Sequence, residues 1–415
     1  MPALLQILCA DWVAPMSSPM IEGGAVAIFS GHIMDVGAAG ELIARHPGAL
    51  IEDLGQSLLM PGLVNAHIHL ELSDLTPGDP PESFVDWLLS VMTTGPAPTA
   101  EGEARAVAAV KSGIAQCLRF GVTTVGDITR FPHLTRVALA DSPLRAVSFG
   151  EVTAMASRRH LLEQRLSAAI SPSPTPDRVV SAVSPHAPYS IEAHGYRRCI
   201  DAARRAGVPV ASHIAETPHE ATFLTTHSGP FRRLWSIIGG WDDHVPREPA
   251  GTTAIDFAAG TGLLTYDGGI IVHANFADQD LNLLAANQAS VVFCPRTHAY
   301  FRHPPHQWQQ MLEAGVNVAV GTDSTASSPN LNLVDDLRLL HRQSPEVPVG
   351  LIWQLATTNA AKALMMQGKV GEMVRGAEAD LVAFRIATRQ PLAEILESDA
   401  RPTAVWVAGQ RCSGA

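Results

Sequence analysis

LVNAHIHL, residues 63–70, is an apolar run interrupted by two histidines at a spacing of two. If the run is a β-strand, period-two alternation turns His67 and His69 to the same face. The strand reads as buried, following MPG and carrying no charge of its own. Two unpaired imidazoles there would cost several kcal/mol unless something bound them, and a metal ion would satisfy both. By itself an HxH pair is a weak signal in a chain with 17 histidines.

Seven further runs share the character of the first: TTVGD (123–127), AVSFGE (146–151), VVSAVSPH (179–186), PVASH (209–213), GIIVHA (269–274), SVVFCP (290–295) and NVAVGTD (317–323). Between them lie longer segments of helical period, such as the alanine-rich stretch 101–119. Strands alternating with helices, eight strands in all, predict an α/β fold of the (β/α)8 TIM-barrel type. In such barrels the chemistry sits at the C-terminal ends of the strands. Here those ends carry His69, Asp127, Glu151, His186, His213, His273 and Asp323. The two chain ends hold strand and hairpin text of another kind: AVAIF (25–29), SLLMPG (57–62), DLVAF (380–384) and AVWVAG (404–409). We expect residues 1–60 and 370–415 to pair into one small β-rich domain beside a barrel over 61–369.

Composition narrows the function classes. With 46% apolar and 17% charged residues in 415, the chain has material for a large core. Its net charge of −11 repels a phosphate backbone, which argues against nucleic acid as a partner. Cys9, Cys117, Cys199, Cys294 and Cys412 are odd in number and widely spaced, and they read as reduced core thiols. The opening PALLQILCADWVAP lacks the basic start of a secretion signal, and no apolar run is long enough to span a bilayer. The expected setting is the cytoplasm, with a small-molecule substrate, no membrane partner, and a homodimer as a candidate assembly.

His213 ends PVASH and Asp323 ends NVAVGTD. Taken singly, His213 reads equally well as a core histidine bonded to a carbonyl, and Asp323 as a helix N-cap. At the ends of barrel strands, together with His67 and His69, they make a nitrogen-rich set with one carboxylate. That set suits one divalent metal ion, zinc first, with iron(II) or nickel as alternatives, and it leaves a position for water.

The HxH pair, the later HIAE (213–216), the strand-end histidine of IVHAN (271–275) and GTDS (321–324) together resemble the amidohydrolase superfamily. Within it they are similar to the branch of nucleobase and nucleoside deaminases and triazine chlorohydrolases, over essentially the whole chain. The resemblance implies that His67, His69, His213 and Asp323 hold the metal. It also implies that Glu216 is a proton-shuttling acid and that His273 activates water and contacts substrate. Binuclear members bridge two metals with a carboxylated lysine on the fourth strand, where this chain has SPHAPYS (184–190). Its three lysines, Lys111, Lys362 and Lys369, stand at no strand end, so a single metal is expected.

The reaction so implied is hydrolytic deamination of an amino-purine nucleoside or related heterocycle. Metal-activated water attacks the amino-bearing ring carbon, Glu216 supplies protons to the ring nitrogen and the departing ammonia, and His273 and Asp323 flank the water. Glu216 also reads as an ordinary carboxylate at a helix start. The same site would serve hydrolysis of a cyclic amide, an imidazolone or a carbon–chlorine bond, and a non-catalytic scaffold is the remaining class.

For substrate contacts the candidates are His186 in SPHAPYS, Glu71 in HLELS (69–73), Trp87 beside Phe84 in ESFVDWL (82–88), and Arg296 and His298 in CPRTHAYF (294–301). These segments look like members near the aminofutalosine deaminases. A guanidinium after the seventh strand would bind a carboxylate or ribose hydroxyls. Pairing of Arg296 with a structural carboxylate is an equal alternative.

Overall fold

The computed structural model describes residues 5–412. Strands β1 (Gln6–Val13), β2 (Ile21–Phe29), β3 (His32–Ala38), β4 (Leu50–Asp53) and β5 (Ser57–Pro61) open the chain. Eight more follow: β6 (Leu63–Ile68), β7 (Val122–Thr129), β8 (Arg145–Val152), β9 (Val179–Pro185), β10 (Val210–Ile214), β11 (Gly269–His273), β12 (Ser290–Phe293) and β13 (Val318–Val320). The last three are β14 (Leu381–Arg385), β15 (Pro402–Val407) and β16 (Gln410–Arg411).

β6 to β13 lie side by side in chain order, all parallel, with helices between them, and form the expected barrel. Each of the eight apolar runs of the sequence becomes one of these strands. Every residue of β6 and of β7 is buried, as befits parallel strands covered on both faces. Val64, Val147, Phe149, Val272 and Val292 pack with Ala360, Ala361 and Ala363 of the helix Thr358–Ala363. A second, larger cluster packs the strands against the outer helices, with Val110 and Ile114 from the helix Ala100–Arg119 among its members.

The seam between the last strand and the first closes through β6. Asn65 Nδ2 donates to Thr322 Oγ1 at 2.8 Å, and Asn65 Oδ1 accepts the Thr322 backbone N–H at 3.1 Å. The Asp323 N–H donates to His67 O at 3.1 Å. Gly321 makes this approach feasible, because a Cβ there would lie 2.7 Å from His67 O and 2.8 Å from His67 Cβ. The strand expected over 317–323 is therefore shorter. It stops at Val320, and Asp323 is carried on the turn beyond it at φ 57°.

The other sheet unites the two chain ends in the order β16-β15-β14-β5-β1-β2-β3, with β4 pairing β1. Its join is antiparallel, Leu381 against Pro61 through Arg385 against Ser57. Only Gly62 separates β5 of this sheet from β6 of the barrel. Among the described residues no helix is long and apolar enough to cross a membrane.

Candidate active site

The C-terminal ends of β6 and β10 bring three imidazoles together. Among the described residues, the donor nitrogens of His67, His69 and His213 lie within 4.8 Å of one another and can hold one metal ion. Asp323 Oδ1 is 3.6 Å from Nε2 of both His67 and His69. His213 Nε2 is 3.4 Å from His69 Nε2. The His213 Nδ1 lies 3.0 Å from His186 O. A carbonyl only accepts, so Nδ1 carries the proton and Nε2 presents its lone pair to the centre.

A cation fits this pocket on the polar accounting. Both ring nitrogens of His67 are buried without a hydrogen-bond partner, a cost that ion coordination removes. Burial, and then the neighbouring His213, push the pKa of His67 well below its usual value. His69 is lowered in the same way, with the charge of Asp323 opposing. His213 is brought down to about 4, again chiefly by burial. All three rings are therefore neutral at pH 7, the state a metal needs.

Glu216 stands on the turn that follows β10, where Ala215 takes a φ of 53°. Its backbone is held on both sides. Glu220 accepts the N–H groups of Ala215 and Glu216 at 2.8 Å and of Thr217 at 3.1 Å. Asn275 Nδ2 donates to Glu216 O at 3.2 Å. The Glu216 side chain is buried, with Oε1 3.4 Å from His273 Nε2. Burial, then the charges of Asp323 and Glu220, raise the pKa of its carboxyl well above the usual carboxylate range, which favours the proton-donating form. His273 adopts φ 76°, a strained conformation for a histidine. His306 Nε2 lies 2.8 Å from the His273 carbonyl oxygen and donates to it.

His69, His213, Glu216, His273 and Asp323 line one cavity of about 410 Å³, within the range of small-molecule sites. Three of the expected substrate contacts line it: His186, Glu71 and Trp87. His186 is held by Ser190 Oγ at 2.8 Å from Nδ1. Trp87 Nε1 donates to Ala326 O at 3.3 Å. The Glu71 carboxylate is already engaged within the protein. Arg130 Nε meets Oε1 at 2.7 Å, while the Arg130 N–H and Thr129 Oγ1 donate to Oε2 at 3.0 and 2.9 Å.

Arg296 and His298 do not line the cavity. β12 ends at Phe293, and both residues fall in the helix Pro295–Tyr300. Arg296 is consumed by structure: Nε meets Asp336 Oδ2 at 2.9 Å, and Nη1 and Nη2 meet Asn330 Oδ1 and O at 2.9 Å. His298 has both ring nitrogens engaged, by Asn275 Oδ1 at 3.0 Å and Pro304 O at 2.8 Å. It therefore braces, through Asn275, the turn that carries Glu216. Four charged residues of the cavity lie outside the sequence-based assignments: Glu151, Arg130, Arg158 and Arg165. Only Glu151 carried a signal, as a polar strand end.

The barrel agrees with the comparisons. Residues 58–412 match the model of the Amidohydrolase family, and the chain belongs to that family. A 5-methylthioadenosine/S-adenosylhomocysteine deaminase of Halobacterium salinarum is 30% identical over 87% of this chain and 82% of its own length. An aminodeoxyfutalosine deaminase of Deinococcus radiodurans is 27% identical over 78% of this chain and 77% of its own. The crystal structure of Helicobacter pylori aminofutalosine deaminase superposes with a TM-score of 0.82 at 22% identity, covering 99% of this chain and 100% of that one. At that identity the superposition establishes a shared fold.

Proposed function

We propose that this protein is a metal-dependent hydrolytic deaminase of an amino-purine nucleoside or a related heterocycle. The observation that carries the reading is the buried carboxyl of Glu216, 3.4 Å from His273 and in the same cavity as His69, His213 and Asp323. His67, His69, His213 and Asp323 hold one divalent ion, zinc before iron(II) or nickel. When bound, such an ion makes water a nucleophile at neutral pH by lowering its pKa from about 15.7 to about 7.

The chain's own groups then move the protons. Glu216 protonates the ring nitrogen beside the attacked carbon while Asp323 takes the proton that the attacking water loses. The His273 imidazole stabilises the negative charge that develops on the added oxygen. Glu216, now a carboxylate, accepts the remaining proton of the added hydroxyl and passes it to the amino group. Ammonia leaves as the ring carbonyl forms, and the proton held by Asp323 restores Glu216. His186 and Trp87 bound the space for the heterocycle.

The same reading divides the chain into a barrel, 61–369, and a composite β domain, 1–60 plus 370–415. It places the enzyme in the cytoplasm, in keeping with its free cysteines, with a homodimer as the expected assembly. The test is ammonia release by metal-loaded protein from adenosine-like, guanine-like and aminofutalosine-like compounds. Release from at least one is expected, and release from none overturns the reading.

A further inference from the structure

Two histidines behind the cavity wall hold the backbones of the two groups that flank the reacting water. His298 stands on the helix Pro295–Tyr300 after β12, and His306 on the loop that follows it. Neither lines the cavity. His298 Nδ1 lies 3.0 Å from Asn275 Oδ1, and Asn275 Nδ2 donates to Glu216 O at 3.2 Å. His306 Nε2 donates directly to His273 O at 2.8 Å. One stretch of nine residues, 298–306, thus reaches Glu216 through a single side chain and His273 through none.

Each contact has a fixed direction of donation. Glu216 O only accepts, so Asn275 gives it the amide N–H and turns Oδ1 to His298, which must donate from Nδ1. Pro304 O, 2.8 Å from Nε2, is a second acceptor. Burial opposes a proton on both nitrogens and the Pro304 carbonyl supports it, but the relay needs only the proton on Nδ1. The His306 ring is neutral, its pKa brought down to about 3 chiefly by burial. Its one proton goes to His273 O, which leaves Nδ1 buried without a partner. An apolar ring would pack there without that unsatisfied nitrogen, so packing alone does not account for a histidine. The ring is stacked on Phe293, centroids 3.9 Å apart, with Nε2 on its target. That target belongs to the residue held at φ 76°, a conformation that surrounding contacts must maintain.

We propose that His298 and His306 are positioning residues of the reaction: His298, acting through Asn275, sets the turn that aims Glu216, and His306 sets the backbone that aims His273. The substrate contact expected of His298 from sequence thus becomes a role behind the site. Since neither ring faces the space for the heterocycle, their loss falls on turnover rather than on substrate affinity. The proposal rests on the deaminase reading above, and the experiment separates the two.

Metal-loaded wild-type protein and variants are assayed on the compound that the ammonia screen identifies, and amide hydrogen exchange is followed over 215–217 and 273–275. Asn275→Leu has no N–H for Glu216 O, and His298→Phe keeps a ring beside Phe293 but donates nothing. Each should lower kcat by about 10- to 10²-fold, the upper figure being the loss for a misplacement near 1 Å. KM and metal content should stay near wild type, and exchange over 215–217 should quicken. His298→Gln, which offers an N–H, should recover part of the loss, and it carries the same test if His298→Phe does not fold. Because His298 acts through Asn275, the double variant of Asn275→Leu and His298→Phe should be no slower than the slower single one. Independent structural damage would instead multiply the two losses. His306→Phe keeps the stack on Phe293 and should lower kcat separately, so its loss should multiply with that of His298→Phe. Wild-type kcat in all three single variants overturns the proposal, as does a loss confined to KM or a multiplied loss in the Asn275 and His298 double variant. If wild-type protein releases ammonia from no compound, the deaminase reading fails and exchange decides on the positioning: faster exchange upholds it, and unchanged exchange overturns it.

Discussion

Glu220 accepts the backbone N–H of Glu216 at 2.8 Å, and the same carboxylate holds the N–H groups on either side of it. The turn that aims the proposed proton shuttle is thus fastened from behind by a second buried acid, four residues along the chain.

Glu220→Gln should disturb that turn, because an amide has one accepting oxygen and its NH2 would confront a backbone N–H. A misplacement near 1 Å costs roughly 10²-fold in turnover. We expect kcat to fall by about that factor while metal content, measured by elemental analysis, stays at the wild-type value. A variant with wild-type kcat would show that the turn holds its shape without this carboxylate.

One metal equivalent per chain is expected, since one three-histidine set is present among the described residues and β9 ends at Pro185, followed by His186, where a bridging lysine would stand. His213→Ala should empty the site, because it removes the lone pair that Nε2 presents beside His69. Chelation should abolish turnover, and added zinc should restore it. Two equivalents in wild-type protein, or full occupancy in His213→Ala, would contradict this donor set.

Stability should fall in acid. Burial lowers the pKa of His306 to about 3 and that of His303 to about 4, and His303 Nε2 and His306 Nδ1 are buried without partners. A histidine whose folded pKa lies below its unfolded value of about 6.5 favours folding above that value. The contribution is lost as pH falls from about 6.5 through the folded pKa. Tm should therefore decline between pH 7 and pH 4. His303→Phe keeps a ring stacked on Phe301 and removes one titrating group, so its Tm should depend less steeply on pH. An unchanged slope would mean that His303 is already charged in the native state.

What could be read in the sequence was local. A strand of this barrel is an apolar run, usually with a polar residue at its end, so β6 to β13 and the candidate site residues His69, His213 and His273 are legible one segment at a time. Asp323 was visible as a residue, but not the turn that carries it. That turn depends on Gly321 meeting His67 across the seam, a contact between the first strand and the last. Arg296 failed for the same reason: its partner Asp336 lies 40 positions along the chain, and no local pattern pairs them. RRHLLEQR (158–165) reads as an ordinary charged helix start. Only the 3-10 turn after β8 puts Arg158 and Arg165 at the cavity.

The most direct test of the account is kcat of Glu216→Gln at full metal occupancy, on whichever compound the ammonia screen identifies. Glutamine keeps the shape of the side chain beside His273 but cannot give or take the proton. Metal content and much of the substrate affinity should persist while turnover falls. General acid–base catalysis is worth about 10²- to 10⁴-fold, and one group serves both proton deliveries here, so the upper end is expected. A kcat within about threefold of wild type, far below that range, would mean that Glu216 is not the shuttle and would contradict the mechanism.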